Sequence, residues 1–330
     1  MDSSPSEPYE IFSPTDDRRF QAISTVFGGS HQRTARYTQR SADSGGELIF
    51  AICGENGSIS NAVLLSRSPG RTAMLFVTQP HSKEDQERGV ALIQHAISRA
   101  ARINAVLIQA LIEPLRDDEL AMFSRGGMNP IGTLAYMELT RVQPSSSDRE
   151  RAPLGATIRS WDSSKRDELE ALLESTYIDS LDCPGLSKLR QTSDILDGHI
   201  HTGIVDPDTW LILELNGVPC GVSLISEIPA SKCLELVYFG LSPQARGQRL
   251  GAHLLDYALR VVQNRNRPIA LACDERNQPA LRLYQSRGFS IRLRRVALVA
   301  PAQPLRDCTH TPTSAERPPL PTTYPRPVDK

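Results

Sequence analysis

Apolar and polar positions alternate along this chain in a sequence of distinct periods. A polar-rich segment with apolar residues at helical spacing predicts a helix over 16–27. Short apolar runs at 47–53 and 62–66 flank Glu55-Asn56-Gly57 and predict two strands joined by a turn. A third strand is expected over 71–78. Ala91, Leu92, His95, Ala96 and Ala100 recur at helical spacing and predict a helix over 90–101. A strand over 105–112 follows, then a short helix over 118–123 stopped near Gly126-Gly127, then a strand over 134–139.

The second half runs through a similar order. Residues 156–159 read as a strand, and Ser163 or Ser164 as the cap of a helix reaching about Tyr177. Residues 179–185 form a loop and 193–199 a short helix with its stop. Asn216-Gly217 joins apolar runs at 210–215 and 220–226, the strongest short-range hairpin signal. The apolar run 234–241 carries a single carboxylate, Glu235, and ends at Ser242-Pro243. Leu250, Leu254, Leu255, Ala258, Leu259 and Val262 then define a helix. A strand over 269–273, a helix opened by Asn277 with Pro279 in its first turn, and a strand over 291–299 close the pattern.

The two halves match strand for strand. Residues 48–66 correspond to 211–226, 72–80 to 235–243, and 105–112 to 269–274. Phe123-Ser124-Arg125-Gly126-Gly127-Met128 echoes Tyr284-Gln285-Ser286-Arg287-Gly288-Phe289. A tandem duplication of an α/β unit with a mixed sheet, of the α+β type, is expected, with a degenerate first copy. Thr72 stands opposite Glu235, Phe123 replaces Tyr284, and an acidic turn over 81–87 replaces a basic, glycine-bearing one. The expected units are 1–142 and 155–300, joined by a Pro/Ser linker at 143–154 and followed by a tail at 301–330. Eight of the thirty tail residues are proline, which predicts disorder there.

Composition narrows the class. The 330 residues carry a formal net charge of −1, which offers no electrostatic case for nucleic acid or an anionic membrane. No apolar run approaches a membrane span. The N-terminus does not read as a signal peptide. Six scattered cysteines without a Cys-x-x-Cys pair point to reduced thiols in a cytoplasmic protein. His199-x-His201 reads as a loop pair with no third ligand near in sequence, so no metal is expected. No Ser-His-Asp order or nucleophile elbow supports a hydrolase.

The densest chemistry lies between Cys233 and Phe289. Strand, glycine turn and helix place unpaired amides and the positive end of a helix dipole together, a ready anion site. Arg246 and Arg249 add charge, and Gly247 and Gly251 let backbone approach a ligand. The natural ligand of such a turn is a phosphate or pyrophosphate.

Arg246-Gly247-Gln248-Arg249-Leu250-Gly251, followed by Asn277-Gln278-Pro279-Ala280-Leu281-Arg282-Leu283-Tyr284 and Gly288-Phe289, resembles the coenzyme-A-binding core of the Gcn5-related N-acetyltransferase (GNAT) superfamily. One departure is that Arg249 stands where that family usually has a glycine. The tandem layout is similar to that of mycothiol synthase and its relatives. The resemblance implies acetyl-CoA as co-substrate and an amine acceptor, a small molecule or peptide. It implies that Phe239, Gly240 and Leu241 line the pantetheine arm. The amides of Arg246, Gly247, Gln248, Arg249, Leu250 and Gly251 would hold the pyrophosphate, with Asn277 and Tyr284 against the cofactor. Glu235 is then a general base, and Tyr284 the acid that protonates the departing thiolate. Without the resemblance, Glu235 is a solvated or ion-paired strand residue, Tyr284 a packing aromatic and Asn277 a helix cap. By fold analogy the loop after the first helix of the second unit builds the acceptor pocket, with Tyr177, Asp182 and Arg190 as its polar candidates. The alternative function is an acyl-CoA-binding regulatory module without turnover.

Overall fold

The computed structural model describes residues 9–41, 46–142, 153–186 and 189–302. The linker expected at 143–154 falls almost wholly outside them, as do residues 303–330 of the tail and Cys308. The first half contains α1 (Asp16–Val26), α2 (His31–Ser41), β1 (Glu47–Cys53), β2 (Ile59–Ser68), β3 (Thr72–Val77), α3 (Lys83–Ile97), β4 (Leu107–Ile112), α4 (Asp117–Arg125) and β5 (Asn129–Leu139). The second contains β6 (Ala156–Ser160), α5 (Arg166–Tyr177), α6 (Thr192–Ile200), β7 (Ile204–Leu215), β8 (Val218–Ile228), β9 (Cys233–Leu241), α7 (Leu250–Val262), β10 (Ile269–Asp274), α8 (Gln278–Gln285) and β11 (Ser290–Pro301).

These strands form one mixed sheet in the order β1-β2-β3-β4-β11-β5-β10-β9-β8-β7-β6. Each half therefore gives its last strand to the other. β11 pairs antiparallel with β4 of the first half, and β5 pairs antiparallel with β10 of the second. β5 and β11 pair with each other at the centre. The two sequence repeats are consecutive in the chain, but their sheets are interlocked.

Helices cover both faces. α7 and α8 close over Leu234, Leu236, Ile269, Leu271 and Cys273, joined by Ala135, Met137 and Leu139 from the first half. α5 and α6 close over Trp161, Trp210, Ile212, Val222 and Leu224 on the opposite face. Arg287 grips Asp256 with two 2.9 Å hydrogen bonds and ties the end of α8 to α7.

Some local readings differ from expectation. α3 begins at Lys83, not at 90: the Ser82 hydroxyl accepts the Asp85 amide at 3.0 Å, and Glu84 and Asp85 face the positive end of the helix dipole. The acidic stretch is thus a helix start rather than a turn. α5 begins at Arg166 without a side-chain cap, because the Ser164 hydroxyl is bound to Asp162 at 2.7 Å. α2 has no apolar stripe to announce it.

Candidate active site

The site begins where the sheet opens. β9 and β10 run parallel and pair at Leu234–Ile269 and Glu235–Ala270, and no further. From Leu236 to Leu241, β9 keeps β8 on one side and has no strand on the other among the described residues. At the fork the register slips: Leu224 opposes Tyr238 and Ile225 opposes Leu236, so Val237 is an extra residue. Such a bulge turns the backbone and re-aims the residues around it. Tyr238 thereby joins Val237 against the α5–α6 core, while Phe239 returns to the α7–α8 side.

Below the fork lies the glycine turn. Gly247 has φ +76° and Arg249 φ +60°, both left-handed. That conformation turns the chain from the end of β9 into the first turn of α7. Gly247, Gln248, Arg249, Leu250, Gly251 and Ala252 donate no hydrogen bond from their N–H groups among the described residues, and the helix ladder starts with His253 donating to the Arg249 carbonyl. An open row of amides at a helix N-terminus attracts an anion. Arg249 occupies the conformation glycine adopts freely, and its side chain is exposed.

Arg246 does something other than what its charge suggested. Its guanidinium donates to the carbonyls of Leu241 (3.1 Å), Asp179 (3.0 Å), Thr176 (3.0 Å) and Ile178 (2.7 Å). Its own amide bonds the Pro243 carbonyl at 3.2 Å. Arg246 is a clamp between the end of β9 and the end of α5.

Glu235 lies between Leu234 and Leu236, which belong to the α7–α8 core, so its side chain projects to the α5–α6 face. Burial lifts its carboxyl above the ordinary range. Tyr136 reaches the same face from β5, between Ala135 and Met137. Burial, and then the Glu235 charge, raise its hydroxyl pKa. Tyr136 was invisible as a site residue in the sequence, since nothing local shows that a first-half strand lies beside β10. Tyr284 is buried on the other face, its ring 6.2 Å from Phe239 and 5.8 Å from Phe289. Burial holds its hydroxyl well above its usual pKa, so it stays protonated. Asn277 caps α8, its side-chain oxygen accepting the Ala280 amide at 3.3 Å.

The acceptor-side candidates separate. Tyr177 packs edge-on against Tyr238 at 5.6 Å, and Arg190 is close enough to lower the Tyr177 pKa against the larger effect of burial. Asp182 is tied to β10: its carboxylate accepts the Asp274 amide at 2.9 Å. Asp274 in turn accepts from the Cys183 amide and from Arg276, which also reaches the Ile131 carbonyl on β5. Asp182 is therefore part of the joint between the halves, and its charge also bears on Tyr238 of the Tyr177 cluster. His199, read as a loop histidine, sits in the last turn of α6 against Tyr238, ring centroids 5.4 Å apart. The His201 ring nitrogen Nδ1 is 2.7 Å from the Asp197 carbonyl. No cluster of three His, Cys, Asp or Glu side chains suited to a metal occurs among the described residues.

The first copy has the fork without the equipment. β3 and β4 pair over three positions, Thr72–Leu107 to Met74–Gln109, but β3 carries no bulge. Ala73 and Leu75 face the α3-side core as Leu234 and Leu236 face the α7-side core, so Met74, rather than Thr72, takes the place of Glu235. The anion position is filled from within: the Asp85 carboxylate accepts the His81 amide at 3.1 Å, and Ser82 takes the amides of Asp85 and Gln86.

Residues 170–289 match the family model of the acetyltransferase (GNAT) family. This stretch is a GNAT domain. Solved structures extend the likeness beyond it. A GCN5-related N-acetyltransferase from Sphaerobacter thermophilus aligns over 94% of this chain and 100% of its own, at 18% identity and a TM-score of 0.60. A tandem GNAT protein from the clavulanic acid biosynthesis pathway aligns over 90% and 99%, at 16% identity and a TM-score of 0.52. A glucosamine N-acetyltransferase region of a fungal multi-domain GH3 β-N-acetylglucosaminidase matches 88% of this chain and 38% of that one, at 12% identity and a TM-score of 0.58. At these identities the likeness reports the fold. It supports tandem GNAT-like halves and does not single out the mycothiol synthase type. A search among curated proteins finds no match. Among the described residues no helix is long and apolar enough to cross a membrane.

Proposed function

We propose that the second half is an acyl-CoA-dependent N-acetyltransferase that moves an acetyl group from acetyl-CoA to an amine of a small molecule or peptide. The observation that carries this reading is the row of amides from Gly247 to Ala252, unpaired among the described residues, beneath an opened pair of parallel strands. The amides suit a pyrophosphate. The free edge of β9 at Phe239, Gly240 and Leu241 suits an extended amide-bearing arm, which would add to the sheet as a strand does. Five free thiols among the described residues, Cys53, Cys183, Cys220, Cys233 and Cys273, suit a reducing, cytoplasmic setting.

The residues divide the chemistry by face. On the α5–α6 face, Glu235 takes a proton from the acceptor ammonium, directly or through water, which frees the lone pair to attack. The new N–C bond forms as the C–S bond breaks. Backbone N–H groups at the Val237 bulge would polarise the thioester carbonyl. On the α7–α8 face, Tyr284 gives its proton to the departing thiolate and regains one from solvent, to which the new amide nitrogen has released its second proton. The buried Tyr284 hydroxyl is held protonated, as a donor requires. Glu235, with its carboxyl raised, suits a base that works near neutral pH.

An amine screen with acetyl-CoA, reading free thiol release, tests the proposal. Turnover with at least one amine is expected. Tight acetyl-CoA binding with no turnover across the screen would favour the regulatory module instead.

A further inference from the structure

One corner of the second half holds polar groups that the proposed transfer leaves unused. Tyr177 ends α5, His199 lies in the last turn of α6, and Tyr238 of β9 touches both rings. The Tyr177 hydroxyl and His199 Nε2 are sealed from solvent, and neither has a hydrogen-bond partner among the described residues. Buried polar groups are normally paired, so two orphans on residues that pack against the same Tyr238 ring call for a ligand. Arg190, on the connection between α5 and α6, bears electrostatically on both. Its guanidinium is partly buried, and its single partner among the described residues is the Gly70 carbonyl at a long 3.4 Å.

These groups share one property. The guanidinium donates and cannot accept; the phenol donates; and the imidazole, kept neutral by burial and by Arg190, donates when its proton sits on Nε2. A set of donors around a guanidinium fits a carboxylate. The Asp194 carboxylate bears on Arg190 electrostatically, but its ion pair is with Arg71, at 3.8 Å. The cluster lies on the sheet face to which Glu235 projects, so a group bound here keeps its amine on the side of the base.

The first half helps to build this corner. The turn between β2 and β3 reaches α6, where a Cβ on Gly70 would meet the Asp194 carbonyl oxygen at 2.2 Å and the Gly198 amide nitrogen at 3.0 Å. Gly70 has φ +71°, so both its space and its backbone restrict it to glycine. The degenerate copy thereby supplies the carbonyl that holds Arg190.

We propose that Arg190, Tyr177 and His199 bind a carboxylate of the acceptor, so that the enzyme selects amines that carry one. This rests on the N-acetyltransferase reading above. The two sealed atoms are reached once neighbouring side chains move aside, a rearrangement common on binding. The test assays α- and ω-amino acids beside their amides at saturating acetyl-CoA, reading thiol release. Acids should exceed their amides by about 10–100-fold in kcat/KM, the scale of charge-assisted hydrogen bonds. Arg190→Gln should erase that preference through KM, with acetyl-CoA affinity unchanged by calorimetry; Arg190→Lys should restore part of it. Equal use of acids and amides, or a preference that survives Arg190→Gln, overturns the carboxylate site and leaves acetyl transfer standing. If no panel member is acetylated, N-acetyl amino acids and their amides are titrated into the coenzyme-A-loaded protein. Binding of the acids alone, lost in Arg190→Gln, supports the site, and binding of neither overturns it. Failure of acetyl-CoA itself to bind overturns the functional reading, and this inference with it.

Discussion

Glu235 and Tyr284 differ in what their surroundings do to a proton. Burial favours the neutral form of each, but a carboxyl so raised becomes a stronger base once ionised, whereas a phenol so raised stays a donor. Glu235→Gln should therefore lower kcat by about 10²–10⁴ and leave acetyl-CoA affinity within about twofold. The acid limb of the pH–rate profile should lie above that of an ordinary glutamate and vanish in the variant. A parent-like rate in Glu235→Gln, with a good acceptor, would sink the assignment. His199 yields a stability prediction. Burial, then Arg190, depress its pKa to about 4 from 6.5. The folded state thus binds fewer protons than the unfolded chain between those values. The stability His199 contributes is present above pH 6.5 and lost as pH falls through about 4. His199→Phe should flatten that slope, worth about 2–3 kcal/mol, in urea midpoints measured from pH 7 to pH 4. At this level the sequence was legible where a motif fixed the backbone, at Gly247 to Gly251 and Asn277. It was not legible for Tyr136 or the Tyr177–His199 pair, whose neighbours come from distant chain segments.

Among the elements, the β9–α7 junction shows how a charge can mislead. From sequence, Arg246 beside an anion-ready turn reads as a phosphate ligand. In the fold it satisfies four carbonyls and holds α5 to the end of β9. Arg246→Met should consequently destabilise the protein by about 2–4 kcal/mol, as loss of a multiply bonded group leaves carbonyls unpaired. Any loss of acetyl-CoA affinity should be nearly independent of salt, unlike the loss of a direct phosphate contact. A salt-sensitive loss in a protein of parent stability would restore the direct role. The hairpin at Asn216-Gly217 was readable because both residues adopt the left-handed conformation those types favour, with φ 52° and 80°. α2 was not readable: its burial depends on residues such as Thr34, a polar side chain covered by tertiary packing.

The whole sheet explains why a decayed copy is retained. The repeat was visible in the sequence, because strand and turn patterns recur in order. The exchange of β5 and β11 was not, because identical local patterns permit either pairing. A fragment spanning 153–302 would leave β10 without its antiparallel neighbour and β11 without either of its partners. It should aggregate or be soluble only on coexpression with residues 9–142, which gel filtration would show. A soluble, fully active 153–302 fragment would refute this interdependence. The central claim is a single anion-binding turn per chain, open in the second copy and filled by Asp85 in the first. Isothermal titration with acetyl-CoA, on the parent and on Arg249→Glu, tests it most directly. The account expects one site per chain in the parent, weakened at least about tenfold by a carboxylate set at the open amides, and more so at low salt. Two sites per chain, no binding, or equal affinity in the variant would contradict it.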